Sequence, residues 1–182
     1  MGNALHVKSG FNMTPASTLL VFQEGFVLMF KKIIFIISVT LLLTACSATG
    51  PKFTQLENLD ANQAKVYIYR PWAMLDGAAA PTIQIDGVDH FNLGNGGYEV
   101  VTLSPGVHKL TVKKGTFMSN WRADQMDIEF KFEANKNYFV RLSAELKNAG
   151  VYGSVISVSG NYGFALINES FALNELKEIK KN

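Results

Sequence analysis

At 182 residues the chain is long enough for one domain with a substantial core and too short for two of ordinary size. Its 17 basic and 15 acidic residues leave a formal charge of +2, which argues against a nucleic-acid-binding surface. There is one cysteine, Cys46, so no internal disulfide framework exists.

Residues 1–28 show no clear period, cap or charge pattern. We expect them to be an upstream extension, with the true start at Met29, because MFKKIIFIISVTLLLTAC is by itself a complete secretory signal. Lys31 and Lys32 supply its positive region. An apolar run over 33–43 follows, broken only by Ser38 and Thr40, and small residues precede the cysteine. That run is too short to span a bilayer as a permanent helix. The residues Leu43-Thr44-Ala45-Cys46 resemble the box of bacterial lipoprotein signals, with signal peptide 29–45. The resemblance implies cleavage between Ala45 and Cys46 and covalent lipid, palmitate included, on Cys46. Several acyl chains anchor durably where one does not. Ser47 resembles the default that sends such proteins to the outer membrane, facing the periplasm.

Removal of the front end takes Lys8, Lys31, Lys32 and Glu24 with it, leaving 14 basic and 14 acidic residues over 46–182. The neutral remainder argues against a nucleic-acid or anionic-lipid surface. Residues 46–63 are expected as a polar tether, 64–168 as a β-domain and 169–182 as a C-terminal amphipathic helix.

Period-two alternation dominates 64–168. Residues 65–70 are β-branched and aromatic. Residues 82–85 end in Asp86-Gly87, a two-residue hairpin signal. Strands are expected over 98–103, 107–113, 126–133 and 138–143, with 151–158 and 163–167 as the last two. In 126–133 apolar and charged residues alternate strictly, as in a strand with one face buried. The expected architecture is a mainly β, antiparallel sandwich, immunoglobulin- or transthyretin-like, or a small barrel. Ala172, Leu173, Leu176 and Ile179 give the tail one apolar face, and Asn168 or Ser170 is its cap. The helix is expected to cover an edge or open end of the β-domain.

Residues 64–71 (AKVYIYRP), 85–87 (IDG), 94–98 (GNGGY), 103–108 (LSPGVH) and 136–141 (KNYFVR) together resemble a bacterial lipoprotein family, Domain of Unknown Function 2846. The resemblance covers 64 to about 143 and implies an envelope lipoprotein with a small β-sandwich. It brings no assigned activity or site residues.

No catalytic constellation is legible, so the chain is read as a non-enzyme, without cofactor or metal beyond lipid on Cys46. His108 lies on the apolar face of its strand and is expected to hydrogen-bond a turn carbonyl. Asp86, Asp89 and His90 are close in sequence, yet no second cluster supplies further metal ligands. Gly94-Asn95-Gly96-Gly97 lacks the Lys and Ser/Thr of a phosphate loop.

The aromatic loops carry the functional expectation. If each strand reverses the last, and 88–91 is a short strand, loops 71–81, 92–97, 114–124 and 144–149 share one end. With a tether entering at the other, that end points away from the membrane. Trp72, Phe117, Met118, Trp121 and Arg122 then form a recognition surface for an envelope protein, a glycan or peptidoglycan. The alternative is that the tryptophans fold inward and plug the core. Tyr69 and Arg70 are a second candidate, the ring packing against the guanidinium. The competing function is a structural accessory acting through a strand edge or the C-terminal helix.

Overall fold

The structure, a computed structural model, describes Met29 and residues 31–35, 47–115, 121–152 and 155–182. The chain divides into two units, Met1–Thr44 and Ala45–Asn182. The described residues of the first are helical and exposed. Ala45, Cys46, Phe117 and Met118 lie outside the described residues. No helix among the described residues is long and apolar enough to cross a membrane.

The second unit is mainly β. One sheet contains β1 (Ala64–Arg70), β4 (Gly97–Leu103), β7 (Lys136–Tyr152), β8 (Val155–Ile167) and β9 (Lys180–Lys181). Its order is β8-β7-β1-β4-β9. The other contains β2 (Thr82–Ile85), β3 (Val88–Asn92), β5 (Gly106–Lys113) and β6 (Met126–Phe132), in the order β3-β2-β5-β6. Most pairings are antiparallel, as expected. Two are not: β1 runs parallel to β7, with Ala64 opposite Lys136, and β4 runs parallel to β9.

The sheets bury their inner faces against each other. Val66 and Ile68 of β1, Ile83 and Ile85 of β2, Leu110 and Val112 of β5, Phe132 of β6 and Val140 and Leu142 of β7 form this core. β1 is central and buried on both sides, which is why its run from Val66 to Tyr69 is continuously apolar or aromatic. Its outward residues Tyr67 and Tyr69 join Tyr98, Phe139, Phe53, Ala172, Leu176 and Ile179 in a second cluster.

The tail helix, α1 (Glu169–Leu176), makes that second cluster possible. Asn168 is its cap: its side-chain oxygen accepts from the Phe171 N–H at 2.9 Å. The helix lies over the face of the five-stranded sheet, where an edge or open end was expected. Tyr67 and Tyr69 explain the difference, because they leave that face apolar and in need of cover. Past Lys177 the expected helix gives way to β9.

The last strands also differ from expectation. Residues 144–149, read as a loop, and 151–158, read as a separate strand, belong to one long β7–β8 hairpin with a register shift between Leu146 and Asn148. Residues 145–148 are exposed, so no buried face imposes an alternating pattern, and the ladder bonds alone extend the strands.

The strand directions place 71–81 and 92–97 at one end, the upper end, together with the end of β5 at Lys113 and the start of β6 at Met126, as the counting argument anticipated; the end of β7 at Tyr152 points the same way, in place of the expected loop 144–149. The turns at 86–87, 104–105 and 133–135 form the lower end. Asp86 and Gly87 have φ of 51° and 82°, the left-handed pair of a tight hairpin turn.

Residues 47–63 are mostly exposed but are tied to the domain at several points, where a free tether was expected. Ser47 bridges to Asn95, the Gly50 N–H donates to the Lys181 carbonyl at 2.9 Å, and Lys52 bridges to Lys180. Phe53 is 6% exposed and meets Tyr98 edge-on at 5.7 Å. The segment then descends, the Glu57 N–H donating to the Tyr67 hydroxyl at 2.7 Å, and enters β1 at the lower end. Its start, Ser47, therefore sits at the upper end. The expectation that the upper end points away from the chain's entry is overturned, because Phe53 pins the segment along the sheet.

Candidate functional site

Loop 71–81, sequence PWAMLDGAAAP, is shaped by Arg70. That side chain is the last of β1, fully buried on the inner face. Period two puts Tyr69 on the opposite face, where its hydroxyl donates to Glu175 at 2.8 Å. The expected Tyr69–Arg70 stack is thus replaced by two separate roles. The Arg70 guanidinium curls under the loop. Nη1 donates to the Ala79 carbonyl at 2.6 Å, and Nη2 donates to the Asp76 carbonyl at 2.8 Å and, more weakly, to Leu75 at 3.4 Å. Only a planar fork reaches carbonyls on both limbs of the loop at once. Burial pushes its pKa down to about 10, offset in part by the Asp76 charge, so the group is a cation at neutral pH.

Trp121 covers that cation, with the guanidinium carbon 5.0 Å from the ring centroid. The indole is 2% exposed and meets Tyr162 edge-on at 5.0 Å. Trp121 is therefore inside the domain, and the surface expected of it is not there: a buried cation draws the electron-rich ring inward. Next to it, the Arg122 N–H donates to Asp76 Oδ2 at 2.9 Å and its Nε lies 3.3 Å from Oδ1. The Tyr162 hydroxyl donates to the same carboxylate at 2.8 Å. Burial, and then this hydrogen bond, push the Tyr162 pKa up to about 12. Leu75 packs against β8 at Gly160, where a Cβ would lie 2.0 Å from Leu75 Cδ2 and only 2.7 Å from the Glu145 carbonyl oxygen; the backbone contact is what favours glycine there.

Asn95 closes the brace from the other side. Its Oδ1 accepts from the Ala73 N–H and its Nδ2 donates to the Ala73 carbonyl, both at 2.9 Å. With the backbone held from beneath, Trp72 and Met74 project outward, 67% and 76% exposed. The loop's one charged side chain, Asp76, is 1% exposed, so the tip is apolar and uncharged. Of the expected surface residues, Trp72 and the rim residue Arg122 are exposed here and Trp121 is beneath them.

Met74, Asp76 and Asn95 were missed from sequence. Asp76 had a signal, as the lone charge in an apolar loop. Asn95 was hidden inside a turn that glycine alone seemed to explain.

At the lower end His108 spans two turns. Its Nδ1 lies 2.6 Å from Asp86 Oδ2 and its Nε2 lies 3.0 Å from the Ser104 carbonyl oxygen. The Ser104 hydroxyl is farther, at 3.4 Å. Nε2 thus lies closer to the carbonyl than to the hydroxyl, and the ring ties the two turns together. Asp86 Oδ1 also accepts from the Lys109 N–H at 2.9 Å. The His108 hydrogen bond, then that of Lys109, holds the Asp86 carboxyl below its ordinary range. Asp89 engages Lys113 and Gln84 instead. Among the described residues no group of three or more His, Cys, Asp or Glu side chains can hold a metal ion.

These contacts define a class: a two-sheet β-domain with both ends cross-braced, one around a buried arginine and one around a partly buried histidine. The chain belongs to the family described as a protein of unknown function (DUF2846), whose model matches residues 60–175. No curated relative matches the chain. The residues that carried the resemblance include the braces themselves: Arg70, Asp86, Asn95 and His108.

Proposed function

We propose that this is a lipid-anchored protein of the bacterial cell envelope, a non-catalytic module that binds through loop 71–81. The signal-like segment 29–45 supports lipid on Cys46, and Ser47 supports residence at the outer membrane, facing the periplasm. The observation that carries the binding role is the pairing of a braced backbone with exposed apolar side chains. Arg70 and Asn95 fix the loop from within, while Trp72 and Met74 stay open to solvent. An exposed tryptophan on a rigid loop is a contact residue, since the fold gains little by exposing it.

The accessory reading loses one of its two surfaces, because α1 buries Ala172 and Leu176 on its own sheet. Its remaining surface is an edge strand such as β6, whose Asp127, Glu129 and Lys131 discourage strand addition.

Photo-crosslinking in living cells tests the proposal. A probe replaces Trp72, and a control probe replaces Asn135 at the lower end. Capture of an envelope component from position 72 alone is the expected result. Equal capture at both positions, or none at 72, would contradict it.

A further inference from the structure

We propose that the upper end is the membrane-facing end of the domain, with Trp72 and Met74 seated in the interface of the bilayer that holds the Cys46 lipid. The inference rests on the anchored reading and names the occupant of loop 71–81. It follows from where the chain enters the domain. Cys46 is covalently next to Ser47, so its Cα lies about 3.8 Å from that of Ser47 wherever the rest of the signal segment runs. Ser47 bridges to Asn95, and the Ala48 N–H donates to the Asn95 carbonyl at 3.3 Å. The side chain of that same Asn95 holds the Ala73 backbone on both sides. The following residue, Gly96, abuts Trp72: a Cβ there would lie 3.6 Å from the Trp72 Cβ. One asparagine therefore joins the entry of the anchor to the exposed tryptophan.

An acyl-anchored residue at this point leaves no length of free chain to lift the upper end away from the lipid. Residues 47–53 are already engaged by Asn95, Lys181, Lys180 and the Phe53 pocket. The surface brought to the bilayer has the chemistry of an interfacial contact. It offers an indole, a thioether and alanines, and its one carboxylate is turned inward to Arg122 and Tyr162. Tryptophan favours the headgroup level, where its ring is apolar and its N–H is wet. The contact needs no net positive charge, in keeping with a neutral domain.

The test uses the processed protein purified from cells and reconstituted into vesicles of phosphatidylethanolamine and phosphatidylglycerol, doped with phosphatidylcholine brominated on its acyl chains. Bromine quenches nearby tryptophan. Trp121 is buried and acts as an internal reference. The expected result is about a twofold loss of the Trp72 emission component, absent in Trp72→Phe. A second reporter, Val107→Trp in the Trp72→Phe background, samples an exposed site at the lower end and is expected to stay unquenched. Mass spectrometry of the N-terminal peptide reads the anchor separately. A peptide without lipid overturns the anchor, and this orientation with it. A lipidated protein in which Trp72 is quenched no more than the Val107→Trp reporter keeps the anchor and overturns the orientation. Photo-crosslinks from position 72 to another protein, with no quenching, overturn it in favour of a protein partner.

Discussion

The two ends of the sandwich are braced by opposite means. At the upper end the charge is inside: Arg70 is fully buried, capped by Trp121, and its hydrogen bonds go to loop carbonyls. At the lower end the charge is outside: the half-exposed Asp86 carboxylate pairs with a partly buried His108. Solvent competes with the second pair and cannot reach the first. The lower end is thus a staple between turns. The upper end is a platform, stiff below and apolar above.

The largest effect is expected from Trp121→Ala, which removes the ring over Arg70 and leaves a cavity beside Tyr162. Urea unfolding should show a loss of about 3–5 kcal/mol. A loss below about 1 kcal/mol would mean that the indole is not the plug of the upper end.

Arg70→Met comes next, at about 3 kcal/mol, because it strands the carbonyls of Ala79 and Asp76. Arg70→Lys should recover little of this, since an ammonium cannot span both limbs of the loop. Full rescue by lysine would show that charge alone, and not the fork, holds the platform.

Asn95→Ala removes both hydrogen bonds to Ala73 and should cost about 1–2 kcal/mol. It should also speed amide hydrogen exchange at Ala73, while exchange at Lys109 in the lower end is unchanged. Equal acceleration at both would break the separation of the two ends.

The lower end should show itself through pH. The Asp86 carboxyl is held low, so its pairing stabilises the fold above the ordinary aspartate range and is lost as pH falls through the lowered folded value. Asp86→Asn should be less stable than the unsubstituted chain at about pH 6, by under about 1 kcal/mol, and the gap should close toward about pH 2. A gap that persists in acid would assign the stabilisation to turn geometry instead of charge.

Much of the fold was legible because its causes are local. Strict alternation marked 126–132, and Asp86-Gly87 marked the first hairpin. The parallel β1–β7 pairing was not legible, since it joins residues about seventy positions apart. The hairpin over 136–167 was hidden where neither face is buried. The site was half legible for the same reason. Both tryptophans lie in loops at the same end, and Arg70, which the Trp121 ring covers, decides which turns inward. Phe53 and Leu56 were signs that the polar segment 47–63 packs, apolar side chains among polar residues.

The smallest effect tests the central claim most directly. If the upper end is a platform whose outer surface is free for contact, Trp72→Ala should change the urea unfolding free energy by no more than about 0.5 kcal/mol. A loss of about 2 kcal/mol or more would place Trp72 in the core of that end and contradict the account.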